Sequence, residues 1–210
     1  MIEPWIASLV TLLVTVDPLG VAPVFAALSA RHAPAERRRM ALRGVAIGGG
    51  LLLGFALVGE GLLGALGIEL AAFRIAGGVL LFLLSLDMVM VRHSGLRTTT
   101  EPEEAESGAR EDISVFPLAI PLIAGPGAMT SVVLLMGAAQ GDAGRAAVVL
   151  AELGLVLALT LVCLLSAGRL MKVLGLTGVN VVTRVAGLLL AALAVQFVID
   201  GLRALVEAGP

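Results

Sequence analysis

The sequence predicts an all-α integral membrane protein with six transmembrane helices, of which the first and the fourth are broken. The 210-residue chain is 59% hydrophobic and 14% charged, whereas a soluble domain is nearer half apolar and a quarter charged. Its apolar residues form six runs that reach the length of about 20 residues needed to cross a bilayer. Proline and glycine interrupt two of these runs near their middles, where the freed backbone groups must be enclosed by protein.

Polar connections separate the apolar runs. The predicted spans are 5–28, 41–66, 70–91, 115–139, 146–165 and 181–205. The longest connection, 92–114, has four glutamates within residues 101–106 and contains Pro102, Ser107 and Gly108, which is the composition of a flexible linker. The chain therefore divides into a first unit at 1–91, a cytoplasmic linker at 92–114 and a second unit at 115–210.

Similar motifs recur in the two units. Arg74-Ile75-Ala76-Gly77 opens the third span and Arg184-Val185-Ala186-Gly187 opens the sixth, 110 positions later. Pro18 in the first span and Pro126 in the fourth are 108 positions apart. Because three spans are an odd number, a duplicated unit must enter the membrane in the opposite direction. The sequence thus predicts a 3+3 inverted repeat that brings the two breaks together near the midplane.

The basic residues predict the orientation. Ten of the 14 Lys and Arg residues lie in the first, third and fifth connections, and the positive-inside rule places those connections in the cytoplasm. Both termini are then periplasmic in a multi-pass protein of the inner membrane. The N-terminal apolar run lacks a basic leader and exceeds signal-peptide length, so we interpret it as a retained span.

The two breaks have the chemistry of a solute site. Asp17 is predicted to cap a half-helix that begins at Pro18, and Gly125-Pro126-Gly127 is predicted to form a turn before a second half-helix. Each half-helix is expected to present free amide groups and a positive dipole end, which suit a carboxylate. The carbonyl ends of the preceding half-helices, near Val16 and Ala124, suit an ammonium group. A small zwitterion matches both.

These arguments define the candidate residues. The predicted substrate-binding residues are Asp17, Pro18, Leu19, Gly20, Gly125, Pro126, Gly127, Ala128 and Thr130. Asp17, as a proton carrier, and Arg74 and Arg184, as gate residues, are the candidates for coupling. Simpler alternatives remain open: Asp17 only caps a helix, the arginines extend to the interface, and Thr130 bonds its own helix backbone. Glu152, in the fifth span, receives no role.

Small residues on the second span predict helix packing. Gly44 and Gly48, and also Gly50 and Gly54, have the spacing that permits close helix–helix contact in a membrane.

Several of these segments together resemble the MarC family of bacterial and archaeal inner-membrane proteins. The resemblance rests on Asp17-Pro18-Leu19-Gly20, on Phe73-Arg74-Ile75-Ala76-Gly77-Gly78, and on Phe116-Pro117-Leu118-Ala119-Ile120-Pro121 followed by Ala124-Gly125-Pro126-Gly127-Ala128. It implies six spans in inverted repeats and proton-driven uptake of glycine, alanine and similar amino acids, with the broken helices holding the substrate. Members of the family often have Asn at the position of Asp17.

Two other classes of function are considered. An exporter or channel for another small solute would share this architecture. An intramembrane lipid-pyrophosphate phosphatase would also use inverted repeats, but phosphoryl chemistry needs clustered Arg, His or metal-binding acids, which residues 129–139 lack. We therefore expect that the protein is not an enzyme and that it binds no cofactor, metal or nucleic acid. The expected partners are a small neutral amino acid, protons, the lipid bilayer and, where the protein is a homo-oligomer, a second copy of the chain.

Overall fold

The computed structural model describes residues 4–90, 112–139 and 141–208, and within these ranges the chain is helical, with no strand. The elements are α1 (Pro4–Val16), α2 (Pro18–Leu28), α3 (Pro34–Ala65), α4 (Leu70–Met90), a cis-proline segment (Ser114–Ile123), α5 (Pro126–Ala138), α6 (Ala143–Leu165) and α7 (Ala167–Ala208). The predicted all-α class is confirmed. The predicted linker at 92–114 lies outside the described residues except for its last three.

The described helices account for the predicted spans. Five stretches are long and apolar enough to cross a membrane: Trp5–Leu28, which contains both α1 and α2, Pro34–Ala65, Leu70–Met90, Ala143–Leu165 and Thr177–Glu207. The cis-proline segment and α5 together form a sixth candidate, bent by 55° at its break. Many large apolar side chains on the outer surface are exposed, including Leu57, Val58 and Leu188 at 61–63%, as expected of a surface that contacts lipid.

Two helices begin earlier than their apolar runs. The helix α3 starts at Pro34 rather than at residue 41, and a carboxylate oxygen of Glu36 accepts a hydrogen bond of 3.0 Å from the amide of Ala33 at its start. The helix α7 starts at Ala167 and is bent at Gly175, where φ is 62°. Hydropathy locates the part of a helix that crosses lipid, so it misses polar turns that continue the helix into water.

Glycines bring α4 and α7 into close antiparallel contact. A Cβ atom on Gly78 would lie 2.7 Å from the carbonyl oxygen of Ala194, and one on Gly187 would lie 2.8 Å from the Cβ of Met88. Gly187 belongs to the recurring motif of the sixth span, and Gly78 directly follows the motif of the third. Their lack of a side chain lets the two backbones approach closely.

Each long second helix packs against the broken span of the other half. The helix α3 packs along the cis-proline segment and α5, while α6 packs along α1 and α2. Both halves thus have the same order of elements, a broken span followed by two long helices. The inverted 3+3 symmetry and the boundaries 1–91 and 115–210 stay predictions.

The predicted glycine packing holds for one pair only. A Cβ atom on Gly44 would lie 2.4 Å from Leu118, and one on Gly48 would lie 2.8 Å from Ile123, so this pair lets the cis-proline segment approach α3. The prediction was wrong within this chain for Gly50 and Gly54, which have nothing within 4 Å. Those two glycines point to the exposed side of α3, away from its partners.

Replacing Gly78 by Ala should destabilise the protein. The added methyl group meets the backbone carbonyl of Ala194, which cannot rotate away, and overpacking of this kind typically costs about 1–3 kcal/mol. The matched control is Gly50→Ala, where the space is open and Ala favours the helix by about 1 kcal/mol. Thermal unfolding in detergent should show a lower Tm for Gly78→Ala and an unchanged or higher Tm for Gly50→Ala. Equal Tm values for the two variants would contradict the close contact.

Candidate functional site

The first break is a single residue in a left-handed conformation. Asp17 has φ 46° and ψ 69°, is 4% exposed, and separates α1 from α2. Its Oδ1 accepts a hydrogen bond of 3.0 Å from the amide of Gly20. A Cβ atom on Gly20 would lie 2.1 Å from the other carboxylate oxygen, so Gly20 must be glycine for Asp17 to cap α2.

The conformation also explains the residue type at this position. Among residues with side chains, Asp and Asn tolerate the left-handed region best, and both have an oxygen that can cap a helix. The predicted capping role of Asp17 is confirmed, and an Asn could perform it equally well. The carboxylate accepts a hydrogen bond from the amide of Gly20, so this one amide of the first turn of α2 is not free.

The second break is longer and is built differently. The peptide bonds before Pro117 and Pro121 are cis, and Phe116 and Ile120 have extended backbones within an otherwise helical segment. The turns of this segment are wide, since the amide of Ala124 donates to the carbonyl of Ala119 at 2.8 Å, five residues earlier. The chain then changes direction at Gly125 and starts α5 at Pro126.

An ionic cluster holds the start of the cis-proline segment against α3. Asp112 accepts hydrogen bonds from the side chain of Ser114 and, at 2.9 Å, from its amide, and it pairs with Arg43 at 3.0 Å. These hydrogen bonds, together with the charge of Arg43, lower the pKa of Asp112 below its ordinary value against a smaller effect of burial. The pair is therefore ionised at neutral pH and fixes where the broken span begins.

The start of α5 has no cap. Gly125 provides no side-chain acceptor, and Pro126 has no amide hydrogen. Within the described ranges, no acceptor binds the amides of Gly127 and Ala128. Free amides at a helix start favour negative charge. The prediction that these helix ends attract an anion stays a prediction, and α5 differs from α2 in having no side-chain cap.

A small cavity connects the two broken spans. It measures about 20 Å³, and its lining residues are Thr15, Leu80, Leu84, Pro121, Leu122, Gly125, Pro126, Gly127 and Ala128. The last turn of α1 and the first turn of α5 thus line one space, which is roughly large enough for a water molecule. Four of the predicted binding residues contribute to it, those from Gly125 to Ala128. Asp17, Pro18, Leu19 and Gly20 are not among its lining residues.

Three further predicted residues lie away from this cavity. Thr130 is buried, and its methyl carbon occupies the space in which Gly77 would place a Cβ atom, so it packs α5 against α4. Arg74 and Arg184 lie toward opposite ends of the α4–α7 pair, as their neighbours Gly78 and Gly187 show. No ion pair of either arginine occurs within the parts of the chain that the structure describes, and their gating role stays a prediction.

A hydroxyl-bearing face of α1 leads from this small cavity to a larger one. Ser8, Thr11 and Thr15 are buried, and their spacing of three and four residues places them on one side of the helix. Ser8 lines a cavity of about 410 Å³ between α1, α5 and α6, which Trp5 and Arg145 also line. Thr15 lines the small cavity at the break. Each hydroxyl donates a hydrogen bond to a carbonyl of its own helix.

Sequence reasoning assigned no role to the most unusual buried polar group. Glu152 of α6 is 8% exposed, and neither carboxylate oxygen has a hydrogen-bond partner among the described residues. It lies one helical turn beyond Val148 and Val149, which line the larger cavity. Ser131 of α5 is likewise fully buried with an unbonded hydroxyl in this part of the structure. The sequence did contain a signal for Glu152, since it is an acid inside an apolar span. Such residues are rare and are functional by default.

These features define the class of the protein: it is a multi-pass integral membrane protein with an interrupted span in each half. A family model described as "MarC family integral membrane protein" matches residues 2–206. The chain therefore belongs to the MarC family.

Curated relatives cover nearly the whole chain. A UPF0056 membrane protein of Methanocaldococcus jannaschii is 40% identical over 89% of this chain and 90% of its own. One of Aquifex aeolicus is 35% identical over 97% and 94%, and the UPF0056 membrane protein YhcE of Escherichia coli is 33% identical over 90% and 86%. No solved structure matches this chain.

Two substitutions of Asp17 should distinguish its role as a helix cap from any role of its negative charge. Asp17→Ala removes the cap and forces Ala into the left-handed region, which should cost about 1–3 kcal/mol. Asp17→Asn keeps both the conformation and the acceptor, so its Tm in detergent should stay near that of the unmodified protein. An alanine variant as stable as the asparagine variant would contradict the capping role.

Proposed function

We propose that this protein is a proton-coupled secondary transporter of small neutral amino acids such as glycine and alanine. The substrate binds between the two broken spans. One observation carries the proposal: the last turn of α1 and the uncapped start of α5 line a single small cavity. Interrupted helices in an inverted repeat are a typical way for transporters to build a solute site.

The chemistry of this cavity suits the zwitterion of a small amino acid. The amides of Gly127 and Ala128 and the positive end of α5 would bind the carboxylate. The hydroxyl oxygen of Thr15 would accept from the ammonium group. Leu80 and Leu84 of α4 form an apolar wall, which would contact a side chain no larger than a methyl group or a few carbons.

In our proposal, the described conformation is the state of an alternating-access cycle in which the central site is closed. The central cavity holds about 20 Å³, so an amino acid can enter only when its walls move. The hydroxyl face of α1 provides a route from the larger cavity, with Thr11 lying between Ser8 and Thr15. In our proposal the larger cavity faces the periplasm of a bacterial-type inner membrane, as the charge distribution predicts. Movement of α4 or of the second break would open the centre.

Glu152 is the side chain we propose for proton coupling. An ionised carboxylate that is buried without a partner is costly, so a proton or another cation would complete this site. Asp17 is less suited, since its carboxylate already serves as a helix cap. Arg74 and Arg184, at opposite ends of the α4–α7 pair, remain the proposed gate residues.

Filling the central cavity should block transport. Gly127→Leu places a side chain where a Cβ atom already lies 3.0 Å from Leu81 and Leu84. The matched control is Gly154→Leu on α6, where nothing lies within 4 Å. Uptake of labelled glycine and alanine into proteoliposomes with an imposed proton gradient should fall roughly 5- to 150-fold for Gly127→Leu, given an overpacking cost of about 1–3 kcal/mol. Gly154→Leu should transport normally.

Two results of this assay would count against the proposal. If the unmodified protein accumulates none of a panel of small neutral amino acids, it is not such a transporter. If Gly127→Leu transports as well as Gly154→Leu, the substrate does not bind at this break.

Neutralising Glu152 should uncouple transport from protons. Glu152→Gln keeps the shape of the side chain but cannot release a proton, so accumulation driven by a pH gradient should be lost. Exchange of labelled for unlabelled substrate, which needs no net proton movement, should persist. The control Glu60→Gln changes an exposed acid on α3 and should behave as the unmodified protein. Unchanged accumulation in Glu152→Gln, with loss in Asp17→Asn, would assign coupling to Asp17 instead.

A further inference from the structure

A third cavity lies far from the two breaks and is strongly basic. It measures about 440 Å³ and lies where α2 ends, α3 begins and α6 meets α7. Four cationic side chains line it: Arg37 and Arg38 from α3, and Arg169 and Lys172 from α7. Residues from two distant parts of the chain therefore contribute positive charge to one concave space.

The charge of this cavity is not neutralised within the described part of the chain. Arg37 donates to the carbonyls of Ser29 at 2.8 Å and Ala30 at 2.6 Å, which caps α2 but brings no negative side chain. Among the described residues, no carboxylate pairs with Arg38, Arg169 or Lys172, and no Asp or Glu lines the cavity. A ligand with negative charge would supply what these side chains lack.

The remaining wall of the cavity is apolar and continues to the lipid-facing surface. Phe25 and Leu164 line it and are almost fully buried, whereas Leu165 also lines it and is half exposed. One turn before Leu165 on α6, Val162 is 59% exposed. An occupant that touches both walls must combine an anionic group with a hydrocarbon part.

We propose that this cavity binds the phosphate headgroup of an anionic membrane phospholipid. Its phosphate lies among Arg38, Arg169 and Lys172, and an acyl chain follows the apolar surface of α6 past Leu165 and Val162. Arginine and lysine at the level of the headgroups bind such lipids electrostatically. A free phosphate ion shares the anionic chemistry but would leave the apolar wall without a partner, so the lipid fits both walls better. This inference does not depend on the transported solute.

Native mass spectrometry of the delipidated full-length protein tests the proposal. The protein is titrated with phosphatidylglycerol, with zwitterionic phosphatidylcholine and, separately, with inorganic phosphate as a competitor. The double variant Arg169→Gln/Lys172→Gln removes two charges from the cavity, and both residues are exposed, so folding should be preserved. The matched control Arg31→Gln/Arg39→Gln removes the same charge from two exposed residues, one before α3 and one in its first turns, that do not line the cavity.

The unmodified protein and the control should bind phosphatidylglycerol tightly, with phosphatidylcholine bound more weakly. The cavity variant should bind phosphatidylglycerol about 30-fold more weakly, given the usual contribution of a basic residue at an anionic membrane surface. Equal weakening in both variants would overturn the proposal in favour of diffuse charge attraction. Equal binding of phosphatidylcholine would overturn the headgroup assignment. Displacement of phosphatidylglycerol by millimolar phosphate would make this a site for the soluble ion.

Discussion

The structure depends on one constraint: backbone polar groups that leave a helix inside a bilayer cannot remain in contact with lipid. This chain interrupts a span at Asp17 and again at Ala124 and Gly125. The remaining helices cover both interruptions, with α6 against the first broken span and α3 against the second. The small central cavity lies between the enclosed interruptions.

The two interruptions satisfy the constraint in different ways. At the first, the side chain of Asp17 binds an amide at the start of α2 and so completes the turn locally. At the second, glycine and proline provide no such acceptor, and the residues that open α5 line a small cavity. The two breaks therefore share an order of elements but differ in how the amides that follow them are bound.

Polar groups elsewhere in the spans are also enclosed by protein. The hydroxyls of Ser8, Thr11 and Thr15 bond their own helix and point into the protein, which makes a polar face tolerable inside the membrane. Glu152 and Ser131 are exceptions, since the carboxylate of the first and the hydroxyl of the second are buried without a hydrogen-bond partner in the described structure. The basic cavity lies where α6 meets α7, and its side chains Arg169 and Lys172 are exposed.

The sequence by itself determined the class, the six spans and the positions of both breaks, because hydropathy and the backbone chemistry of Pro18, Gly125 and Pro126 act locally. It also predicted Asp17 as a cap, a role that involves residues only three apart. Only the tertiary structure decided that Thr15 lines the central cavity while Gly20 does not, that Gly44 packs and Gly50 faces outward, and that Glu152 has no partner. Those outcomes depend on which face of a helix meets a distant neighbour, and spacing along the chain does not specify that neighbour.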